Sequence, residues 1–256
     1  MPSDDPSKHS RHVWDRAWTS YAEPPANHHE PLIDATQRAL GSVEDARILE
    51  IGAGSARDSL RLAELGARVV AVDNSAPAIE LTRKGMVTRG VELALVQADV
   101  FRLPFNSGSF DLVFSQGVMG HFADPRPLLD EQVRVLRPGG ALLMDLPQTV
   151  NVYTVRNKLL MRSGRWFAGW ETSYTLPRLE RLLQNAGQTI VDSYGSGYFP
   201  RQALALRNAH TFDQRHDLPV KLPTRVRASV EAGWQWLERR RSYYRWMWNI
   251  GVVARK

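Results

Sequence analysis

Residues 50–57 read EIGAGSAR and close the short apolar run ARILEI that begins at residue 46. Glycine lets a backbone turn tightly and approach a ligand closely, so this pattern at the end of a strand predicts a binding loop. The next apolar run, RVVAV at residues 68–72, ends at the acid Asp73. A carboxylate in that place can accept hydrogen bonds from the two hydroxyls of a ribose, which predicts a nucleoside-containing cofactor.

Outward from this loop, predicted strands and helices alternate along the chain. The predicted strands are residues 46–51, 68–72, 93–97, 110–115, 141–146, 188–194 and 248–253. The predicted helices are residues 31–40, 59–65, 77–85, 127–136 and 175–186, and a short N-terminal helix is predicted to place Trp14, Trp18 and Tyr21 on one surface. Residues 149–169 show no clear period. Strands that alternate with helices predict a parallel sheet covered by helices on both faces.

Two classes of cofactor use such a glycine loop. Dinucleotide-binding proteins place a third small residue where this chain has Arg57, which fits poorly. The pattern E-x-G-x-G-x-G fits better, with Ala56 in place of the last glycine, and it resembles the class I S-adenosylmethionine-dependent methyltransferases. Four further stretches resemble that family in the right order: ADV at residues 98–100, LPF at 103–105, SFDLV at 109–113 and LRPGG at 136–140.

The resemblance implies an α/β fold, with a Rossmann-like, seven-stranded, mostly parallel sheet and helices on both faces. Its last strand would be antiparallel and lie beside strand five. Within this fold we expect a lid segment at residues 1–30, a methyltransferase domain at residues 31–256 and a helical cap inserted at about residues 195–246. The cofactor would be S-adenosylmethionine, and the methyl group would move by in-line displacement.

The family pattern also implies which residues bind the cofactor. They are Tyr21, Glu50, Gly52, Ala53, Gly54, Asp73, Asn74, Asp99, Val100, Gln116 and Gly117. The glycine loop would face the methionine part, and Glu50 would hold either its amino group or the loop itself. Asp73 would bind the ribose, unless it serves only to cap its strand. Asp99 and the backbone N–H of Val100 would bind the adenine.

The sequence narrows the choice of methyl acceptor. The chain lacks the cysteine nucleophile that pyrimidine C5 methylation needs, and SQGV at residues 115–118 replaces the N/D-P-P-Y/F of amino-methylating enzymes. GVMGHF at residues 117–122 instead resembles the small-molecule branch of the family (type 11, quinone- and sterol-like). The predicted acceptor is therefore a small, apolar or aromatic metabolite. The candidate substrate-contacting residues are Trp18, His121, Trp170 and Tyr198.

His121 is the candidate acid–base residue. It follows the fourth predicted strand, at the edge where ligands bind in open α/β sheets, and imidazole titrates near neutral pH. A structural role, holding the loop by a hydrogen bond, is the alternative. Methyl transfer depends mainly on alignment, so a dedicated base is not required.

The positive charge is concentrated near the end of the chain. The net charge is +6, and residues 201–256 hold 12 of the 33 Lys and Arg but only 4 of the 27 Asp and Glu. A basic helix at about residues 225–245 leaves open an RNA- or membrane-surface-associated methyltransferase, although no RNA-binding module is recognisable. A non-catalytic cofactor-binding module and an NAD-dependent oxidoreductase are further alternatives.

The remaining features set expectations about class and location. A chain without cysteine has no disulfide, no thiolate zinc site and no iron–sulfur cluster. HHE at residues 28–30 is interpreted as an exposed linker rather than a metal cluster, so no metal site is predicted. With no apolar run of membrane-spanning length and no signal peptide at the N-terminus, we expect a cytoplasmic protein.

Overall fold

The computed structural model of the protein describes residues 6–24, 28–168, 171–198 and 247–256. Among these residues, seven strands make one sheet. They are β1 (Arg47–Ile51), β2 (Arg68–Asp73), β3 (Ala94–Gln97), β4 (Phe110–Gln116), β5 (Leu136–Pro147), β6 (Thr189–Tyr198) and β7 (Met247–Arg255). Their order across the sheet is β3-β2-β1-β4-β5-β7-β6.

The first five strands run parallel to one another. The last strand, β7, is antiparallel and lies between β5 and β6, pairing with both. The seven-stranded, mostly parallel sheet that the sequence predicts is thereby confirmed, including the antiparallel last strand beside strand five.

Helices cover both faces of the sheet. They are α1 (Pro6–Thr19), α2 (Glu30–Leu40), α3 (Arg57–Glu64), α4 (Ala76–Arg89), α5 (Arg126–Val135), α6 (Val152–Arg162) and α7 (Leu176–Asn185). One buried apolar cluster joins one face of the sheet to α2 and α3, and a second joins the opposite face to α5 and α7. Because both faces are buried, the central strands are apolar almost throughout.

Several predicted boundaries shift. Helix α4 continues to Arg89, beyond the predicted end at residue 85, and β5 begins at Leu136, directly where α5 ends. Strand β6 reaches Tyr198, so the prediction that the cap begins near residue 195 is wrong: residues up to 198 pair with β7 as part of the sheet. The rest of the predicted cap lies outside the described residues.

Helix α6 is the element that the sequence did not predict. Asn151 caps it, since the Asn151 Oδ1 accepts a hydrogen bond from the Thr154 backbone N–H at 2.8 Å. Thr154 and Asn157, on its first turns, are buried. A helix that buries polar side chains lacks the apolar stripe from which helices are predicted.

Candidate cofactor and acceptor site

The loop after β1 has the backbone shape that its glycines predict. Gly52 and Gly54 adopt left-handed conformations, with φ of +64° and +57°. Ala56 also is left-handed, with φ of +49°, although this conformation costs a residue with a side chain on the order of 1–2 kcal/mol. Ala56 therefore keeps the turn that the family pattern gives to a third glycine. Ala53 ties the loop to β2, because its N–H donates to the Val72 carbonyl at 2.9 Å.

Asp73, at the end of β2, is fixed by the backbone. Its Oδ2 accepts from the Gly54 N–H at 2.8 Å and its Oδ1 accepts from the Ser75 N–H at 2.9 Å. The side chain is buried, and this burial raises the pKa of Asp73 in spite of the N–H donors. Strand-end capping, the alternative role for this residue, is thus present in the structure. Each carboxylate oxygen retains a second lone pair that could accept from a ligand hydroxyl.

The loop after β3 presents one acceptor and one donor. Asp99 is exposed, and its Oδ1 accepts from the Phe101 N–H at 2.9 Å. Within the described residues, the Val100 N–H donates to no protein group. Asn74 lies between this loop and Asp73, and its carbonyl accepts from Gln97 Nε2 at 3.1 Å. An unpaired N–H beside an exposed carboxylate is the pair of groups that an adenine edge requires.

Helix α1 lies across the glycine loop. A Cβ atom at Gly54 would clash with the Trp18 ring, which shows that this ring rests directly on the loop backbone. The Ser75 hydroxyl donates to Asp15 Oδ1 at 2.6 Å, which joins α1 to the end of β2. Tyr21 follows the end of α1 rather than lying in it, and its ring centroid is 5.5 Å from that of Trp18.

Glu50 is buried beneath the loop. The Ser59 hydroxyl donates to Glu50 Oε2 at 2.5 Å. Burial, together with the neighbouring Asp58 carboxylate, raises the pKa of Glu50 to about 8. The carboxyl group is therefore protonated at neutral pH, until a cation approaches it.

A series of polar side chains in contact with one another extends from the glycine loop to the ends of β4 and β5. Arg57 donates through its NH2 to Gln116 Oε1 at 3.1 Å, and Gln116 Nε2 lies 3.0 Å from His29 Nδ1. His29 Nδ1 is also 3.7 Å from Oδ2 of the fully buried Asp145. The interpretation of residues 28–30 as an exposed linker is wrong for His29, because its N–H donates to Asp58 Oδ1 and its ring is 8% exposed.

The acceptor side lies past the end of β4. His121 ends a short 3-10 helix, and its ring centroid is 4.9 Å from that of Trp14 in an edge-on contact. The Trp14 ring in turn makes an edge-on contact with Phe167, at 5.6 Å. The space beside Gly117, directly after β4, is open, since a Cβ atom there would meet no atom within 4 Å.

Glu171 lies next to Gly120, in the loop after β4. The Thr172 N–H donates to the Gly120 carbonyl at 2.7 Å, which holds the segment against the loop after β4. Glu171 Oε2 accepts from Asn157 Nδ2 at 3.0 Å, and burial raises the pKa of Glu171 to about 7. A carboxyl group that is half ionised near pH 7 can both accept and return a proton.

Sequence reasoning did not identify Arg57, His29 or Glu171 as site residues. A signal was present for Glu171, which is the only acid between Asp145 and Glu180, in a basic and aromatic stretch. Arg57 and His29 can be recognised as site residues only in the fold, which brings the starts of α2 and α3 next to the end of β4.

Two predicted substrate residues cannot be placed by their side chains. Trp170 lies outside the described residues, and of Tyr198 only the backbone, in β6, is described. In the described part of the chain, no group of three or more His, Asp or Glu side chains could hold a metal ion. No helix there has the length and apolar character to cross a membrane.

The methyltransferase-domain family (type 11) matches residues 49–144, which include the glycine loop, Asp73, Asp99 and Gln116. The matched residues are less than half of the chain. The match covers the strands whose carboxyl ends carry the predicted cofactor residues, and it ends within β5.

Sequence relatives of the chain include enzymes named for quinones. A demethylmenaquinone methyltransferase of Clavibacter sepedonicus is 39% identical over 43% of this chain and 44% of its own length. A ubiquinone biosynthesis O-methyltransferase of Parvibaculum lavamentivorans is 26% identical over 64% of this chain and 66% of its own. The chain thus spans between about half and two thirds of the relatives that it matches.

A solved structure from Bacillus halodurans, assigned to the methyltransferases, shares the fold over nearly the whole chain. Its TM-score is 0.60 at 17% identity, and the alignment covers 89% of this chain and 99% of the other. The similarity thus shows that the shared Rossmann-like fold includes the strands beyond residue 144.

Proposed function

We propose that the protein is an S-adenosylmethionine-dependent methyltransferase that acts on a small apolar or aromatic acceptor. The observation that carries this proposal is the arrangement at the carboxyl ends of the first three strands. There a left-handed glycine loop, the carboxylate of Asp73 and the Val100 N–H, which donates to no described protein group, follow one another along one edge of the sheet. Ligands of open α/β sheets bind at this edge.

The residues present fit S-adenosylmethionine. Asp73 would hold the ribose hydroxyls, while Asp99 and the Val100 N–H would hold the adenine. Arg57 supplies a fixed cation near the loop for the cofactor carboxylate, and Glu50 supplies a buried acid for its ammonium group. When bound, the cofactor supplies an electrophilic methyl group.

The N-terminal segment would serve as a lid in this assignment. Trp18 rests on Gly54, and Asp15 is bonded to Ser75, so a ligand at the glycine loop would lie against α1. Tyr21, beside Trp18, would close the same side. Such a cover excludes water from the reacting groups.

For the acceptor we propose a phenol-like or quinol-like molecule bound against Trp14, His121 and Phe167. These rings form an aromatic wall, and quinone-named enzymes are among the sequence relatives. Glu171 would take the proton that the acceptor hydroxyl loses when its oxygen gains the methyl group. His121 would then contact the acceptor ring rather than act as the base.

Calorimetry tests the cofactor assignment directly. We expect S-adenosylhomocysteine to bind and NADH to give no heat. The reverse result would make the protein an oxidoreductase and overturn the proposal. Binding of S-adenosylhomocysteine, followed by no transfer of labelled methyl to any member of a panel of naphthoquinols, benzoquinols and catechols, would contradict the proposed acceptor class but not the cofactor site.

A further inference from the structure

Helix α6 is built with its polar side chains inward. Asn151, Thr154 and Asn157 are buried. Asn151 Nδ2 donates to the carbonyls of Gln148 and Trp248, and the Thr154 hydroxyl donates to the Gln148 carbonyl. These bonds fasten the first turns of α6 to the ends of β5 and β7. The helix therefore has a fixed orientation, and its opposite face must point outward.

The outward face of α6 combines apolar and basic residues. Val155 is 56% exposed and Leu159 is 62% exposed, one helical turn apart. Lys158 and Arg162 are exposed on the same face, at the intervening and following turns. Helices of water-soluble domains bury their apolar side chains and expose their polar ones, so α6 reverses the usual arrangement.

The residues around this face are also apolar and exposed, or basic. Six large apolar side chains are strongly exposed in the described part of the chain, and four of them, Val150, Val155, Leu159 and Phe167, lie in this one segment. Residues 146–170 contain four cations and no Asp or Glu. We call the four apolar residues, together with Arg156, Lys158, Arg162 and Arg165, the α6 patch.

We propose that the α6 patch binds the surface of an anionic lipid membrane. Exposed apolar residues that alternate with Lys and Arg on one helix face suit the membrane interface, where the side chains enter the headgroup layer and the cations meet lipid phosphates. The absence of acids from the segment gives it charge complementarity to such a surface. This inference rests on the patch alone and does not require the proposed reaction.

The α6 patch lies close to the proposed acceptor site. The segment after α6 is bonded to the loop after β4, through the Thr172 N–H and the Gly120 carbonyl, and to the end of β5, through the Tyr174 N–H and the Pro147 carbonyl. Phe167, a member of the patch, also contacts Trp14 in the aromatic wall. A membrane bound at the patch would therefore lie beside the acceptor side of the proposed site, where a lipid-soluble acceptor could enter.

Vesicle co-sedimentation of the full chain tests the apolar part of the patch. We expect binding to vesicles of mixed phosphatidylcholine and phosphatidylglycerol, and much weaker binding to phosphatidylcholine alone. The double variant V155S/L159S should bind the mixed vesicles at least about tenfold more weakly. The matched control V87S/V191S removes two exposed valines elsewhere, at 80% and 51% exposure, and should bind as the wild type does.

Charge reversal tests the basic part. K158E/R162E should also weaken binding by about tenfold or more, and K84E/R181E, two exposed cations on α4 and α7, should change it little. Wild-type binding should fall when salt is raised to about 1 M, because the Debye length shrinks from about 10 Å to about 3 Å. Thermal unfolding of each variant controls for loss of fold.

Four outcomes would overturn the proposal. One is equal sedimentation of patch and control variants, and another is no binding to any vesicle. The third is loss of binding when Arg239, Arg240 and Arg241 are reversed but not when the patch is changed, which would assign docking to the basic segment near the end of the chain. The fourth is a lower Tm of V155S/L159S with unchanged vesicle binding, which would mean that the protein's own chain covers the patch.

Discussion

The two sides of the site are held together in different ways. On the cofactor side, Asp73 and Asp99 are fixed by backbone N–H groups of residues close to the strand ends that carry them. On the acceptor side, Glu171 is held by the side chain of Asn157, from a different helix, and it retains a pKa of about 7. The proposed cofactor side is thus held by backbone groups, whereas the proposed acceptor side is held by a side chain and carries a carboxyl group whose pKa lies near 7.

The largest effect should come from Glu171→Gln. Glutamine keeps an oxygen for Asn157 but cannot accept a proton, so we expect turnover to fall by roughly 10²–10⁴ with cofactor affinity unchanged. Because the base must be ionised, wild-type kcat/KM should rise with pH through about 7, and this rise should vanish in the variant. Glu92→Gln, an exposed carboxyl group, is the control. An unchanged rate in Glu171→Gln would assign the proton transfer to another group.

The next effect concerns Glu50. The folded protein holds its proton up to about pH 8, whereas the unfolded chain releases it near 4.5, so the free energy of unfolding should fall as pH rises between these values. Glu50→Gln has no proton to release, and it should be more stable than wild type by several kcal/mol at pH 9 but not at pH 4. Denaturant unfolding at both pH values measures this. Part of the decline should persist, since burial also raises the pKa of Asp73 and Asp145.

Asp73→Ala should weaken cofactor binding by about a hundredfold, because two charge-assisted hydrogen bonds to ribose are lost. The same change frees the N–H groups of Gly54 and Ser75, so the glycine loop should also become more mobile. Calorimetry with S-adenosylhomocysteine measures the affinity, and Asp45→Ala, which removes an exposed carboxylate, is the control. A folded Asp73→Ala protein with normal affinity would leave Asp73 with strand capping as its only role.

The smallest effect should come from substituting Gly52, and a comparison with Gly90 distinguishes the cost of the backbone conformation from the cost of a close contact. Gly52 and Gly90 have nearly the same φ, +64° and +65°, but a Cβ atom at Gly52 would lie 2.5 Å from Val118 whereas one at Gly90 would meet nothing. Gly90→Ala should cost on the order of 1–2 kcal/mol for the backbone alone. Gly52→Ala should cost more and should also weaken cofactor binding. Equal destabilisation in the two variants, with binding intact, would show that the approach at Gly52 is unimportant.

The same contrast explains how far the sequence could be interpreted. The positions of the strands along the chain and the glycine loop follow from local patterns: an apolar run, a glycine pair and an acid at the next strand end. Glycine 52, Asp73 and Asp99 therefore could be proposed without a structure, although whether each contacts the cofactor stays a prediction. The antiparallel last strand came from the family resemblance and not from any local pattern.

The acceptor side could not be predicted because its contacts are distant in sequence. His29 reaches Asp145 and Gln116 only when the start of α2 meets the ends of β4 and β5. Helix α6 escaped prediction because Asn151, Thr154 and Asn157 occupy the positions where apolar residues mark a buried helix face. The boundary of β6 was missed because Gly195 and Ser196 have low strand propensity, and pairing with β7 decides their conformation.

The place of β7 in the sheet also orders events during synthesis. Strand β6 has no hydrogen-bonded neighbour in the described sheet except β7, and β5 gains its second neighbour only from β7 as well. Until the ribosome has added the residues between 198 and 247, the backbone edges of both strands therefore stay unpaired and can bind another chain. Non-local pairing of this kind is slow to form, and open strand edges favour association with the wrong partner. Folding of this protein should accordingly depend on chaperones most strongly after β6 has emerged and before β7 has been made.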